Sequence, residues 1–355
     1  QAGTALAWLL FLAALTLPVT ELIAVDHPWL GQFTLTIPLL LIFAARALDG
    51  VTGGNISVAN AYIADVTTEI DRNVAFGRMA IAQNLGFIVG PAVAGLLADW
   101  GDAAPVLVAL GVSVVALIAI AVGLPESNPC AWTDRPNPRS VRKILGQEPR
   151  DCHEVRHGRR PSLASVLSIP AVAPLLLVHF SVYLAFNFFY VGFPLHSASN
   201  LGWSMREVGL FLSYLSVLMA ITQGPILGWF ARRLSDRQLI LRGGLILPLG
   251  FSGIATGQLE LMLVGAALIA LGNGLLWPSL LATLSKAAGD ARQGAVQGIA
   301  GSSGAMASIA GFLVGGLFFD LLGPRLFLLS TGIGGFAWLV ALFTTARAEA
   351  IDGSR

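Results

Sequence analysis

Apolar stretches of about 20 residues, separated by short polar connections, follow one another along almost the whole chain. A helix of that length crosses the hydrocarbon core of a bilayer, so the pattern predicts an all-α membrane protein. The stretches predict ten spans, at residues 3–24, 32–62, 78–98, 104–124, 171–195, 207–230, 240–258, 260–284, 294–319 and 325–346.

One long polar segment, rich in Pro, Arg and Ser, interrupts this pattern at residues 126–168. It separates the first four predicted spans from the other six. The predicted domains are an N-terminal helical bundle at 1–125, a linker at 126–168, a C-terminal bundle at 169–348 and a tail at 349–355.

Composition supports a polytopic membrane protein. Only 12% of the residues are charged, whereas soluble domains have about 25%, and the mean hydropathy is +0.75. The 40 glycines follow no Gly-X-Y period and are typical of close helix–helix contact in lipid. A bilayer is the predicted environment, and neither a cofactor nor a nucleic-acid partner is predicted.

The basic residues predict an orientation. Of the 21 Lys and Arg residues, Arg46 lies within a span, Arg206 and Arg325 fall on one side, and the remaining 18 fall on the other. Because cytoplasmic loops carry an excess of Lys and Arg, that second side is predicted to be cytoplasmic. The termini and the 126–168 linker are therefore expected in the cytoplasm, and the protein in the inner (plasma) membrane.

The two cysteines, Cys130 and Cys152, both fall in the linker. With His153 and His157 they offer four candidate zinc ligands, but there is no C-x-x-C pair. An ordinary solvated loop is the favoured interpretation, and no metal site is predicted.

An internal repeat links the two blocks of spans. A shift of 221 residues aligns the helix near Gly90 with the helix near Gly311. This helix is the fifth of the second block but the third of the first, so two further spans are expected upstream of Gln1, giving twelve. With a cavity-lining helix among the absent spans, the chain alone is not expected to form a sealed pathway. The aligned pairs are Gly77 with Gly298, Gly90 with Gly311, Gly95 with Gly316, Leu96 with Leu317 and Asp99 with Asp320.

Several motifs resemble those of the major facilitator superfamily. The stretch RALDGVTGGNISVANAYIADVTTEIDRNVAFG at 46–77 is similar to that family's fourth span and following loop, and most like the drug/proton antiporter branch that includes tetracycline-efflux pumps. Arg46 and Gly50 fit the branch's R-x-x-x-G pattern. The antiporter motif G-x-x-x-G-P-x-x-G-G is matched, with Ala94 at the penultimate glycine, by Gly86, Gly90, Pro91 and Gly95.

The resemblance has two departures. The family's acidic loop after its second span is absent, and its second-half counterpart at 228–233 has Arg232 where the aspartate would be. Gating that depends on this loop is therefore not implied for this chain.

Gly86, Gly90 and Ala94 recur at i, i+4 and i+8, so they form one smooth helix face. Small faces let membrane helices approach closely, and Pro91 is expected to bend the helix. The resemblance implies that this helix lies between two bundles that move against each other. The alternative is a tightly packed, kinked helix without a coupling role.

Two ionisable residues fall within one predicted span. Arg46 and Asp49 lie three residues apart, close enough to pair, and Asn60 continues their helix face. In one interpretation the face lines a cavity and Asp49 gains and loses a proton beside Arg46. In the other, the two residues form a permanent structural salt bridge.

A second polar face falls in span 171–195. His179, Tyr183, Asn187 and Tyr190 lie within 80° of one another around the helix axis, as expected at 100° per residue. Asn273 and Trp277 form a smaller pair in span 260–284. These six residues are predicted to line a substrate cavity, and His179 is a further candidate for proton coupling. The alternative is hydrogen-bonded packing.

Taken with the resemblance, these residues predict a secondary transporter and not an enzyme. It is expected to export a small, partly apolar organic compound in exchange for protons, as a monomer, by alternating access. A proton-coupled importer or uniporter of a sugar or similar nutrient is the main alternative. A membrane-embedded enzyme is a remote one, because no second carboxylate cluster stands near Asp49.

Overall fold

The computed structural model describes residues 1–27, 31–53, 55, 58–59, 62–63, 69–124, 163–169, 171–288 and 293–352. The chain forms two compact units, Gln1–Arg156 and His157–Arg355. Asn60, the linker residues 125–162 and both cysteines lie outside the described residues.

The described part of the first unit is helical apart from one hairpin. Helix α1 packs against α2 and α4, and α3 packs against α4. Its elements are α1 (Ala2–Thr16), β1 (Glu21–His27), β2 (Gly31–Thr36), α2 (Ile37–Thr52), α3 (Glu69–Ala98) and α4 (Ala103–Gly123).

The hairpin corrects the predicted bounds of the first two spans. The sequence placed helices at 3–24 and 32–62, but α1 ends at Thr16 and α2 begins at Ile37. Strands β1 and β2 pair antiparallel between them, with Val25 opposite Phe33. Pro18 has no amide hydrogen and cannot continue α1. At the other end, Thr36 is an extended N-cap whose hydroxyl accepts a 3.3 Å bond from the Leu39 amide.

The described part of the second unit contains six long helical segments, one of which consists of α7 and α8 joined by a π-helical segment. Its elements are α5 (Leu163–Leu167), α6 (Val172–Asn200), α7 (Met205–Ile221), a π-helical segment (Thr222–Ile226), α8 (Leu227–Ala231), α9 (Asp236–Ile254), α10 (Leu259–Ala288), α11 (Gln293–Leu322), a 3₁₀ turn (Gly323–Arg325) and α12 (Leu326–Asp352).

Local sequence explains where two of these helices begin. Ser204 and Glu207 form a capping box before α7, and Ser235 and Gln238 form another before α9. Lys286 Nζ lies 2.5 Å from an Asp236 carboxylate oxygen and joins the end of α10 to the start of α9.

Glycines set the distance between α9 and α10. A Cβ built on Gly243 would lie 2.5 Å from the Gly272 carbonyl oxygen, and one built on Gly250 would lie 2.6 Å from the Ile269 amide nitrogen. The two backbones therefore touch, which is how small residues stabilise helix pairs where no hydrophobic force acts between helices.

The helices match the predicted membrane class. Each of the ten predicted spans contains a helix, and α7 with α8 forms one of them around the π-helical segment. Within the described residues, five apolar helical stretches are long enough to cross a membrane: Ala103–Gly123, Val172–Asn200, Met205–Ala231, Leu259–Ala287 and Ala295–Thr344, the last of which includes both α11 and α12. The predicted all-α membrane fold is confirmed, with the hairpin as an addition.

Candidate functional site

Three rings from two helices meet inside the second unit. The His179 ring lies 5.0 Å from the Tyr183 ring on α6 and 4.7 Å from the Trp277 ring on α10, measured between centroids. Tyr183 and Trp277 are 4.8 Å apart, at 71° to each other. The helix arithmetic placed His179 and Tyr183 on one face, and the structure adds Trp277 from the neighbouring helix. We call these three residues the aromatic cluster.

His179 is the polar centre of this cluster. It is 2% exposed, and its Nδ1 atom has no hydrogen-bond partner among the described residues. Leaving a buried polar atom unsatisfied costs about 1–3 kcal/mol. The described residues therefore leave the hydrogen-bonding capacity of Nδ1 unused.

Asn187, one turn beyond Tyr183, ties α6 to α11. Its side-chain amide donates to the Tyr183 carbonyl at 2.7 Å and to the Ser308 hydroxyl at 3.2 Å. Two glycines of α11 allow this approach. A Cβ on Gly304 would lie 2.9 Å from the Tyr183 ring, and one on Gly311 would lie 2.4 Å from the Asn187 Cβ. In this structure the Asn187 side chain thus links α6 to α11 by a hydrogen bond.

The α10 side of the site rests on the π-helical segment. A Cβ on Gly274 would lie 2.4 Å from Thr222 Cγ2, so α10 packs directly on this segment one turn before Trp277. Asn273 beside it is half-buried. Single-turn π-helices occur often at functional sites, and Pro225 within this one removes a backbone donor.

Tyr190 lies apart from the cluster. Its side chain is 43% exposed, and its ring contacts those of Phe186 and Phe189. Tyr190 stands eleven residues after His179, about 16 Å further along the helix.

Arg46 and Asp49 are neighbours in the first unit but form only a long contact. Arg46 Nη1 lies 3.9 Å from Asp49 Oδ2, and the two side chains are 45% and 34% exposed. The guanidinium instead lies against two rings of α1, with Cζ 5.1 Å from the Trp8 centroid and 5.3 Å from the Phe11 centroid. A cation–π contact stabilises by about 0.5–2 kcal/mol. Placing an arginine in the middle of a span costs about 2.5–3.5 kcal/mol, so the rings offset part of that cost.

The antiporter-motif residues lie on α3, which continues as a helix through Pro91. Gly95 is buried, but Gly86, Gly90 and Ala94 are exposed. No described residue lies within 4 Å of a Cβ built on Gly86 or Gly90. The sequence predicted that this small face packs closely against another helix, but no described residue packs against Gly86 or Gly90.

Sequence reasoning missed Trp8, Phe11, Ser308 and Thr222. The two rings of α1 lie in a uniformly apolar stretch, where nothing marks an aromatic residue as the partner of a distant arginine. Pro225 within a predicted span was the one available sign of irregular helix near Thr222.

Comparison with known proteins gives the family and the fold. The Major Facilitator Superfamily model matches residues 3–173 and 175–354. The chain is 26% identical to tetracycline resistance protein class D of Salmonella ordonez, over 79% of this chain and 67% of that protein. It is 27% identical to multidrug resistance protein 2 of Bacillus subtilis, over 81% and 69%. The matched part thus spans about two thirds of each of these relatives.

Solved structures show the same fold. The human organic anion transporter MFSD10 (TETRAN) superposes with a TM-score of 0.60 at 20% identity, over 96% of this chain and 75% of that one. A bacterial homologue of the iron transporter ferroportin, in an inward-facing state, gives 0.61 at 15% identity, over 96% and 80%.

Proposed function

Because the chain belongs to the Major Facilitator Superfamily, we propose that it is a secondary active transporter that exports a small, partly apolar organic compound in exchange for protons. The protein works by alternating access in the plasma membrane, as a monomer, with its termini and the 126–168 linker in the cytoplasm. Alternating access requires a substrate site that the membrane helices themselves form.

The aromatic cluster is the observation that carries this proposal. His179, Tyr183 and Trp277 offer ring faces and one unpartnered ring nitrogen, with an amide and a hydroxyl nearby. Ring faces favour a flat apolar body, which they contact by offset or edge-to-face stacking. A strongly charged substrate such as phosphate is bound by several Arg or Lys groups, and α6 has none.

Asp49 is the group proposed to carry the proton. Its carboxylate is partly exposed, and its 3.9 Å separation from Arg46 is too long for a hydrogen bond. A carboxylate locked in a structural salt bridge would make short, charge-assisted bonds. The long contact therefore favours the proton-carrier interpretation over the permanent ion pair.

The names of the relatives support the direction of transport and the choice of probe. Resistance to tetracycline and to multiple drugs is what those bacterial proteins are named for. Radiolabelled tetracycline is accordingly the first probe, and a radiolabelled neutral sugar tests the importer alternative.

The test uses the protein expressed from its complete gene. We expect tetracycline binding by the purified protein, and a several-fold higher Kd for Trp277→Leu, since an aromatic contact contributes about 0.5–1.5 kcal/mol beyond its area. Trp277→Phe should be intermediate. Trp229→Leu is the control, because Trp229 is 53% exposed and lies outside the cluster. Sugar uptake without tetracycline binding would instead establish the importer.

A further inference from the structure

We propose that Trp8 and Phe11 of α1 are positioning residues for proton coupling: they hold the Arg46 guanidinium away from Asp49, which leaves the carboxylate free to exchange its proton. The inference rests on the proposed function, because it assigns a role within proton coupling. It adds two residues of another helix to the coupling site.

The geometry is that of a cation shared by two rings. Trp8 and Phe11 are 6.1 Å apart between centroids, at 61° to each other, and the Arg46 Cζ lies 5.1 and 5.3 Å from them. Both distances are within the roughly 6 Å range of a cation–π contact. The guanidinium is thus held by α1, although its carboxylate neighbour is only three residues away on its own helix.

Other charges near this pair are few in the described part of the first unit. Helices α1 and α4 and strand β2 have no ionisable side chain. The amino group of Gln1 lies near the end of α2, 3.3 Å from the Asn55 Oδ1. Arg46 is the cation recorded beside Asp49, with Nη1 3.9 Å from Oδ2.

Removal of the Trp8 ring is expected to move the Arg46 guanidinium towards Asp49. Without Trp8, the guanidinium loses its contact on α1, and Asp49 is the nearest group that can bind it. A closer cation holds the carboxylate in a shorter, charge-assisted pair, which leaves it less free to exchange its proton. Proton-driven exchange by Trp8→Leu should therefore be weaker than exchange by the native protein under the same pH gradient.

The first experiment does not depend on transport. Thermal unfolding of the purified protein is measured for Trp8→Leu, Arg46→Gln and both together. If the ring holds the cation, Trp8→Leu lowers the Tm in the native background, and at least half of that decrease disappears when Arg46 is already Gln. An equal decrease in both backgrounds would overturn the inference. Trp100→Leu, at an 82% exposed tryptophan, is the control for loss of an indole.

The second experiment measures tetracycline exchange against pH in proteoliposomes. We expect weaker pH-driven exchange for Trp8→Leu, a smaller loss for Phe11→Leu, and recovery of the native profile in Trp8→Phe, which retains a ring. Unchanged profiles in Trp8→Leu would overturn the positioning role. If the native protein shows no pH-driven exchange at all, the proposed function fails, while the unfolding experiment still decides whether the rings hold Arg46.

Discussion

Gly311 of α11 lies directly against Asn187 of α6: a Cβ atom on the glycine would be 2.4 Å from the Asn187 Cβ. Four residues further along α11, a Cβ built on Gly315 would lie 3.3 Å from the Cβ of Val191, which is also on α6. The small residues of α11 thus determine how close α6 can come, and with it where the aromatic cluster lies.

Gly311→Ala should therefore destabilise the second unit. The added methyl group has no space at 2.4 Å, and overpacking costs about 1–3 kcal/mol. Gly316→Ala is the matched control, since it lies in the same helix with no described atom within 4 Å of its Cβ. Both variants gain the same helix propensity, so the difference between their Tm values isolates the contact. Equal Tm values would mean that the helices separate without cost.

His179→Phe should separate stability from binding. The change removes a buried polar atom that has no protein partner, so the Tm should stay the same or rise. If Nδ1 binds the substrate, the same variant should bind tetracycline more weakly. A lower Tm with unchanged binding would show that His179 is a structural residue.

Gly90→Leu tests the open face of α3. The repeat aligns Gly90 with Gly311, which packs tightly, whereas no described residue contacts Gly90. We expect the variant to insert in the membrane normally but to lose transport, because a bulky residue blocks close approach of another helix to this face. Gly111→Leu is the control, at a glycine of α4 that is also open. Normal transport by Gly90→Leu would mean that the face meets only lipid.

The proposed orientation can be tested by cysteine labelling after Cys130 and Cys152 are replaced by serine. Asp102→Cys and Glu260→Cys should react with an impermeant maleimide from outside the cell. Arg232→Cys should react only after the membrane is opened. All three positions are exposed. A reversal at any of them would contradict the proposed orientation, which depends on the excess of Lys and Arg in cytoplasmic loops.

The helices were predictable because a span requires a long apolar run, and such runs are visible in the sequence alone. The hairpin at Glu21–Thr36 was missed because residues 22–25 extend the apolar run of α1, although Pro18 and Pro38 marked the ends of the neighbouring helices. The faces of His179 and Tyr183 followed from 100° per residue. Angular position ignores distance along the axis, so it did not show that Tyr190 lies about 16 Å from His179 along the helix.

Contacts between distant segments were beyond sequence reasoning. The proximity of Arg46 and Asp49 was expected from their spacing, and the two side chains lie 3.9 Å apart, but the contact of the guanidinium with the rings of α1 was not expected. An apolar helix has the same sequence pattern whether its tryptophan faces lipid, the protein core or a cation. The partner becomes visible only when α1 and α2 are packed together.

Uphill tetracycline accumulation driven by a pH gradient tests the central claim most directly. In proteoliposomes with an imposed pH gradient, the native protein should accumulate tetracycline uphill. Asp49→Asn should lose that accumulation while it still binds tetracycline and still catalyses downhill exchange, because Asn keeps the volume and removes only the titration. Its Tm should stay near native, since the rings of Trp8 and Phe11 still hold Arg46. A double variant, Asp49→Asn with Arg46→Gln, that folds well and pumps normally against the gradient would contradict proton coupling through this pair.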